Sequence, residues 1–248
     1  MPRDRKRPWF RAAEAALLPP LLLLVRRRWR GQEHIPRTGG AILVANHISK
    51  IDPITFGHFV HGAGRVPHFL AKVELFRHPL LGRVLRGTDM IPVYRGGQSA
   101  NASVDAAVQA VQDGFCIVVY AEATITRDPD LWPMVGKTGA ARIALKSGAP
   151  IIPVAQWGPH RILPPYSRRL SLFPRKTVHV RAGAPVRLDD LAGREATPEL
   201  LAEATERVMA AITAELETIR GERAPKERFD PRKAGVAEYG NPHTDPRA

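Results

Sequence analysis

A chain of 248 residues, 44% apolar and 25% charged, has room for one α/β domain with a sizeable core and short appendages, which excludes two equal catalytic domains. A formal charge of +13 and a pI near 10.6 call for an anionic partner, whether nucleic acid, a membrane surface or a phosphorylated substrate. The single cysteine, Cys116, excludes an internal disulfide and suits a reducing cytoplasm, where it is read as a small buried hydrophobe.

Residues 1–30 hold nine Arg or Lys (Arg3, Arg5, Lys6, Arg7, Arg11, Arg26, Arg27, Arg28, Arg30) against Asp4 and Glu14, a local charge of +7. Between the basic clusters runs the apolar stretch Ala15 to Val25. As a helix it spans about 16 Å, half of a roughly 30 Å hydrocarbon core, so it is too short to cross. Pro19-Pro20 is expected to break or kink a helix there. The run ends in Arg26-Arg27-Arg28-Trp29-Arg30 without a small-residue cleavage site, which disfavours export. Residues 1–34 are therefore read as a monotopic or re-entrant membrane arm, with leucines in the acyl region, Trp9 and Trp29 at the interface and arginines on anionic headgroups. A basic arm packed on its own domain is the alternative. Arginines gathered around a leucine run, with no interleaved aromatic platform, set nucleic acid aside as the partner.

Ala41 to Ala45 reads as a buried strand running into a turn, and Asn46-His47-Ile48-Ser49-Lys50-Ile51-Asp52-Pro53 follows it. A histidine and a carboxylate five positions apart at a strand's end suit a general base and its orienting partner. Neutral imidazole accepts a proton near neutral pH, and the carboxylate fixes its tautomer and stabilises the imidazolium. No G-x-S-x-G elbow adjoins His47, so direct attack by a substrate hydroxyl fits better than an acyl-enzyme. A lone H-x4-D pair is more often an ordinary turn or cap, so the pair needs support from elsewhere in the chain.

Strands and helices alternate beyond it, as an α/β fold requires. Helix is expected from Pro53 to about Val60, strand from Val66 to Ala71, and a short helix from Pro79 to Leu85. Met90 to Val93 is a strand ending near Arg95, which precedes Gly96-Gly97 and suits a bidentate phosphate contact. A helix capped by Ser99 or Asn101 runs to about Gln112 with Val104, Ala107, Val108 and Val111 on its apolar face. The strand Cys116 to Tyr120 leads into Glu122, placed to orient a hydroxyl or organise cations, and then into a turn-rich loop from Thr124 to Gly136. Thr138 to Lys146 is a helix stopped at Gly148, and Ile151 to Trp157 a buried strand. Residues 158–176 form a surface excursion, and Thr177 to Arg181 a polar strand near an edge. A helix opening at Thr197-Pro198 buries Leu201, Ala204, Val208, Ile212, Leu216 and Ile219. Residues 221–248 lack apolar periodicity and are expected to be a disordered tail, which bounds the catalytic domain at 35–220.

Four segments recur in a known order. Asn46-His47-x4-Asp52-Pro53 resembles the first block, N-H-x4-D, of the glycerolipid acyltransferases, the 1-acylglycerol-3-phosphate acyltransferase family. Met90 to Gly96 is similar to the second block, Tyr120-Ala121-Glu122-Ala123-Thr124 to the third (usually F-P-E-G-T-R), and Ala149 to Val154 to the fourth. The resemblance covers about residues 35 to 190. In the third block Ala121 replaces Pro, Ala123 replaces Gly and Ile125 replaces Arg. Glycine at such a bend permits positive φ or close approach to a phosphate, and alanine adds a Cβ there. Arg127 or Lys137 is placed to supply the missing cation.

The resemblance implies a mixed, largely parallel sheet flanked by helices, and transfer of a fatty acyl group from acyl-CoA or acyl carrier protein to 1-acylglycerol 3-phosphate, giving phosphatidic acid. His47 is then the base and Asp52 its partner; Asn46, Arg95, Glu122 and Thr124 serve the acceptor, with Lys50 and Lys72 adding charge near the cleft. No zinc-spaced cluster is visible, and no metal or cofactor beyond the acyl thioester is expected. The expected partners are a lysophospholipid, the acyl donor and an anionic membrane surface at the cytoplasmic face of the cell membrane. Another lysolipid or glycolipid acceptor, and a catalytically silent lipid-binding relative, are the alternatives.

Overall fold

The computed structural model describes residues 8–94 and 97–240. In chain order it contains α1 (Pro8–Leu24), β1 (Val25–Arg30), β2 (Ala41–Ala45), α2 (Asp52–Gly62), β3 (Pro67–Lys72), α3 (Val73–Phe76), α4 (Pro79–Gly87), β4 (Ile91–Val93), α5 (Gly97–Gln112), β5 (Cys116–Tyr120), α6 (Gly139–Ser147), β6 (Ile151–Trp157), α7 (Pro159–Ile162), β7 (Lys176–Ala182) and α8 (Pro198–Arg220). The strands form one seven-stranded sheet ordered β1-β7-β6-β2-β5-β3-β4. Every pairing is parallel except β6 with β7. The mixed, largely parallel α/β architecture is thus the expected one.

Central strands buried on both faces read as continuous apolar runs, and their alternate residues enter opposite cores. Ile42, Val44 and Ile117 pack with Val111 of α5, Ile143 of α6 and Val208 of α8. Leu43, Val118 and Ile152 point the other way, to Phe56 and Phe59 of α2 and to Leu21 at the end of α1. Thr197 caps α8 by accepting from Leu200 N at 3.3 Å, and Gly221 ends the helix in the left-handed region. The buried stripe of α8 starts at Leu200 rather than Leu201, because the cap fixes which side of the first turn faces the sheet.

Four expectations change. Helix α1 runs unbroken through Pro19 and Pro20; the carbonyls the prolines leave unbonded belong to exposed Ala15 and Ala16, where they need no intrahelical partner. The basic run Arg26–Arg30 is an edge strand parallel to β7, which makes β7 the penultimate strand. Within it Trp29 is no interfacial anchor, since its ring meets His58 at 4.8 Å and Phe59 at 5.7 Å, both edge-on. Trp9, 48% exposed, does stay at the surface. Arg175 donates to the carbonyls of Leu22 at 2.9 Å and Val25 at 3.2 Å, fastening the junction of α1 and β1. Among the described residues no helix is long and apolar enough to cross a membrane.

The fourth change concerns the carboxyl-terminal tail. Residues 221–240 fold back as a strap: Val135 N donates to Phe229 O at 3.1 Å, and Arg127 to Gly240 O at 2.9 Å. Arg228 pairs with Glu206 on α8. Polar contacts distant in sequence hold this segment, so apolar periodicity gave no sign of it. Residues 241–248 and the basic residues Arg3, Arg5, Lys6 and Arg7 lie outside the described residues.

Candidate active site

Strands β2 and β5 are parallel neighbours with Ala45 opposite Tyr120, so the turns leaving their carboxyl ends emerge side by side. Open α/β sheets bind ligands at that edge. Asn46 and His47 leave one strand there, Ala121 and Glu122 the other.

His47 Nδ1 lies 2.8 Å from Asp52 Oδ2. The same oxygen accepts from Ile48 N at 2.6 Å and Ser49 N at 2.9 Å. An oxygen already holding two N–H donors acts as an acceptor, which places the imidazole proton on Nδ1 and leaves Nε2 as the basic nitrogen. The carboxyl group is fully buried at the amino end of α2, and its Oδ1 has no partner among the described residues. Burial raises the Asp52 pKa, opposed by the His47 contact and the two backbone donors. The His47 ring is 16% exposed and stacks on Tyr120, with centroids 4.1 Å apart and planes 15° from parallel. The imidazole is therefore held at one nitrogen and across one face.

Glu122 is 1% exposed and stands behind this pair. Its Oε1 accepts from His47 N at 3.1 Å and its Oε2 from Met134 N at 3.0 Å, so it braces the histidine turn against the loop beyond β5. That loop is itself tied down. Thr126 N donates to His47 O at 2.8 Å, Asp128 accepts from Trp132 N at 3.2 Å, and the Arg220 guanidinium lies 3.9 Å from the Trp132 ring centroid and 4.4 Å from that of Trp157.

Burial pushes the Glu122 pKa up to about 8, opposed by the Met134 and His47 donors. A carboxyl group whose folded pKa exceeds its unfolded value holds a proton the unfolded chain has released, so stability falls as pH rises between the two values. Between about pH 4.5 and 8 the wild-type chain is expected to lose on the order of a few kcal/mol relative to Glu122→Gln. The variant keeps every other titrating group, so the difference between the two thermal-midpoint curves against pH isolates Glu122. Parallel curves would contradict the assignment.

Asn46 is corrected by the structure. It is fully buried, donates to Gln156 O at 3.1 Å and accepts from Gln156 N at 2.9 Å, while Gln156 Nε2 donates back to Asn46 O at 3.0 Å. Bonded to β6 through both polar side-chain atoms, fully buried and not among the residues lining the cavity, it pins the strand end. Thr124 is buried at the cavity wall. Arg95 lies outside the described residues. Tyr120 was read as the first residue of the third block but not as a ring stacked on His47, and the partner Gln156 was not singled out; the strand register that brings both in is the signal that finds them.

Ala123 adopts φ 58° while its N–H bonds Tyr120 O at 3.0 Å, so the bend keeps a conformation that glycine favours. Ala123→Gly is expected to stabilise the chain by about 1 kcal/mol, seen as a higher denaturation midpoint at unchanged slope. A lower midpoint would show that the alanine methyl group contributes more packing than the backbone strain costs.

A cavity of about 1380 Å³ opens in front of His47. Leu17, Leu18 and Leu21 of α1 and Leu81, Val84 and Leu85 of α4 are among its apolar lining, and Lys50, Lys72 and Lys137 line it together with the acidic side chains of Glu14, Glu122, Asp230 and Glu238.

A family model described as acyltransferase matches residues 26–157. The 1-acyl-sn-glycerol-3-phosphate acyltransferase of Borreliella burgdorferi is 34% identical over 125 residues, 50% of this chain and 48% of that protein, so the match spans about half of that relative. The Bacillus subtilis protein of the same name is 29% identical over 164 residues, 65% of this chain and 74% of its own. The crystal structure of the 1-acyl-sn-glycerophosphate acyltransferase PlsC from Thermotoga maritima shares the fold, with a TM-score of 0.61 and 24% identity over 87% of this chain and 78% of that one.

Proposed function

The chain belongs to the acyltransferase family, and from that premise we propose that it transfers a fatty acyl group from an acyl thioester to the free hydroxyl of 1-acylglycerol 3-phosphate, forming phosphatidic acid. The observation that carries this reading is the His47–Asp52 pair at 2.8 Å, with His47 lining a cavity whose walls combine apolar side chains with Lys50, Lys72 and Lys137.

In this mechanism Nε2 of His47 takes the hydroxyl proton as the oxygen attacks the thioester carbon. The tetrahedral intermediate collapses to the new ester and expels the thiolate, which receives the proton back from His47. Asp52 stabilises the imidazolium formed between the two transfers. A thiolate leaves readily, so the chemistry needs neither a metal nor an enzyme-bound acyl group. Arg95 grips the acceptor's phosphate through its planar fork. Glu122 fixes the backbone of His47, and Thr124 shapes the acceptor's side of the cavity. Coenzyme A or acyl carrier protein carries the donor. Helix α1, with its exposed Trp9, Leu22 and Leu23, seats the enzyme on an anionic membrane at the cytoplasmic face.

Labelled acyl-CoA offered with a panel of lysolipids tests the reading. Label is expected in phosphatidic acid; transfer only to acceptors without a phosphate monoester would redirect the assignment to another lysolipid or a glycolipid. Liposome against DNA co-sedimentation at matched salt tests the membrane partner, with binding to anionic liposomes expected.

A further inference from the structure

The third block lacks its usual arginine, since Ile125 stands there buried, yet the cavity does hold a cation close to that turn. Lys137 N donates to Ala121 O at 2.8 Å, and Ala121 N to Ala45 O at 3.1 Å, so the backbone of Lys137 is two hydrogen bonds from the strand that delivers His47. Both side chains line the same cavity. The Lys137 ammonium is not left to water. Glu238 Oε2 lies 2.5 Å from its Nζ, and the Tyr239 ring centroid 5.7 Å away. The other oxygen of Glu238 accepts from Arg232 of the same strap. Arg232 and Lys137 hold the Glu238 carboxyl ionised, its pKa drawn down to about 2. An internal carboxylate thus occupies a cation inside the cavity proposed to receive an anionic substrate.

We propose that Lys137 receives the phosphate monoester of the acceptor, and that Glu238 is an internal anion which this phosphate displaces. The inference rests on the function proposed above and adds a second phosphate contact, distinct from Arg95, together with a carboxyl-terminal segment that competes for it. Three observations support exchange over a fixed structural link. The Lys137 and Glu238 side chains are 36% and 21% exposed, and ion pairs of that kind contribute little to folding, so breaking one is cheap. Phosphate brings more charge and a third oxygen to the same ammonium. Glu238 keeps Arg232 as a partner when Lys137 is taken from it.

Two substrates of the proposed reaction carry phosphate, the acceptor and a coenzyme A donor, and kinetics separates them. In full-length, detergent-solubilised protein, Glu238→Gln is expected to lower the KM for 1-acylglycerol 3-phosphate about three- to tenfold, because removing an internal competitor restores the competent fraction of the site. The KM for the acyl donor stays where it was. Lys137→Met is expected to raise the acceptor KM about tenfold or more and to abolish the effect of Glu238→Gln, as two residues acting on one contact require. A change in the donor KM alone would assign Lys137 to coenzyme A and overturn the proposal, as would a Glu238→Gln effect that persists in Lys137→Met. Calorimetric titration with glycerol 3-phosphate supplies a readout independent of turnover. Affinity unmoved by Glu238→Gln overturns the subsite even in an active enzyme; tightening in a chain without turnover supports the subsite and overturns only the function above.

Discussion

His47→Ala is expected to lower kcat for acyl transfer by about 10² to 10⁴ while leaving the fold in place. The ring is held at 2.8 Å by a buried carboxyl and His47 lines the cavity, so its loss removes the proposed acceptor of the hydroxyl proton. Structural cost should be small. Asp52 keeps its bonds to Ile48 N and Ser49 N without the imidazole, and Glu122 binds the backbone of residue 47, which alanine also has. Parallel measurement of turnover and thermal midpoint decides the matter. Activity within tenfold of wild type in a normally folded variant would place the base elsewhere.

Asp52→Asn is expected to cost up to about 10⁴ in kcat, the scale seen when the carboxylate behind a catalytic histidine becomes an amide. Oδ2 serves the imidazole and two backbone N–H groups at once. An amide oxygen at that position can accept the same three bonds but brings no charge to steady the imidazolium; an amide nitrogen there would meet three donors. Asp52→Ala goes further and leaves both backbone donors unsatisfied in the interior, at about 1–3 kcal/mol each. The expected signature is lost turnover with near-normal stability for Asn, and lost turnover with a lowered midpoint for Ala. Full activity in Asp52→Asn would show that His47 needs no anionic partner.

The parts of this molecule that were legible in the sequence are those decided locally. Strands β5 and β6 emerged at their observed limits because continuous apolar runs next to Gly114 and Pro150 admit few other readings. His47 and Asp52 are five residues apart, and their spacing together with the three later blocks pointed to the contact that is found at 2.8 Å. Strand β1 was hidden because four of its six residues are arginines, and only its backbone pairing with β7 makes it a strand. Asn46 carried the right block signature but the wrong role, since its partner Gln156 lies 110 residues away. The strap was illegible for the same reason: Lys137 and Glu238 are 101 residues apart and joined by charge. Sequence pattern shows what a residue's neighbours along the chain impose, and long-range polar pairs leave no period to detect.

Helix α1 ends at Leu24 and β1 begins at Val25, with no linker between them and Arg175 clamped across the joint. The leader is thus a rigid bracket, not a tether, and any surface that takes up its leucines also sets the yaw of the whole sheet and the direction in which the mouth of the cavity points. A single residue inserted between Leu24 and Val25 would turn the helix by about 100° against the strand. The enzyme would still carry every group its chemistry requires, but would be aimed elsewhere.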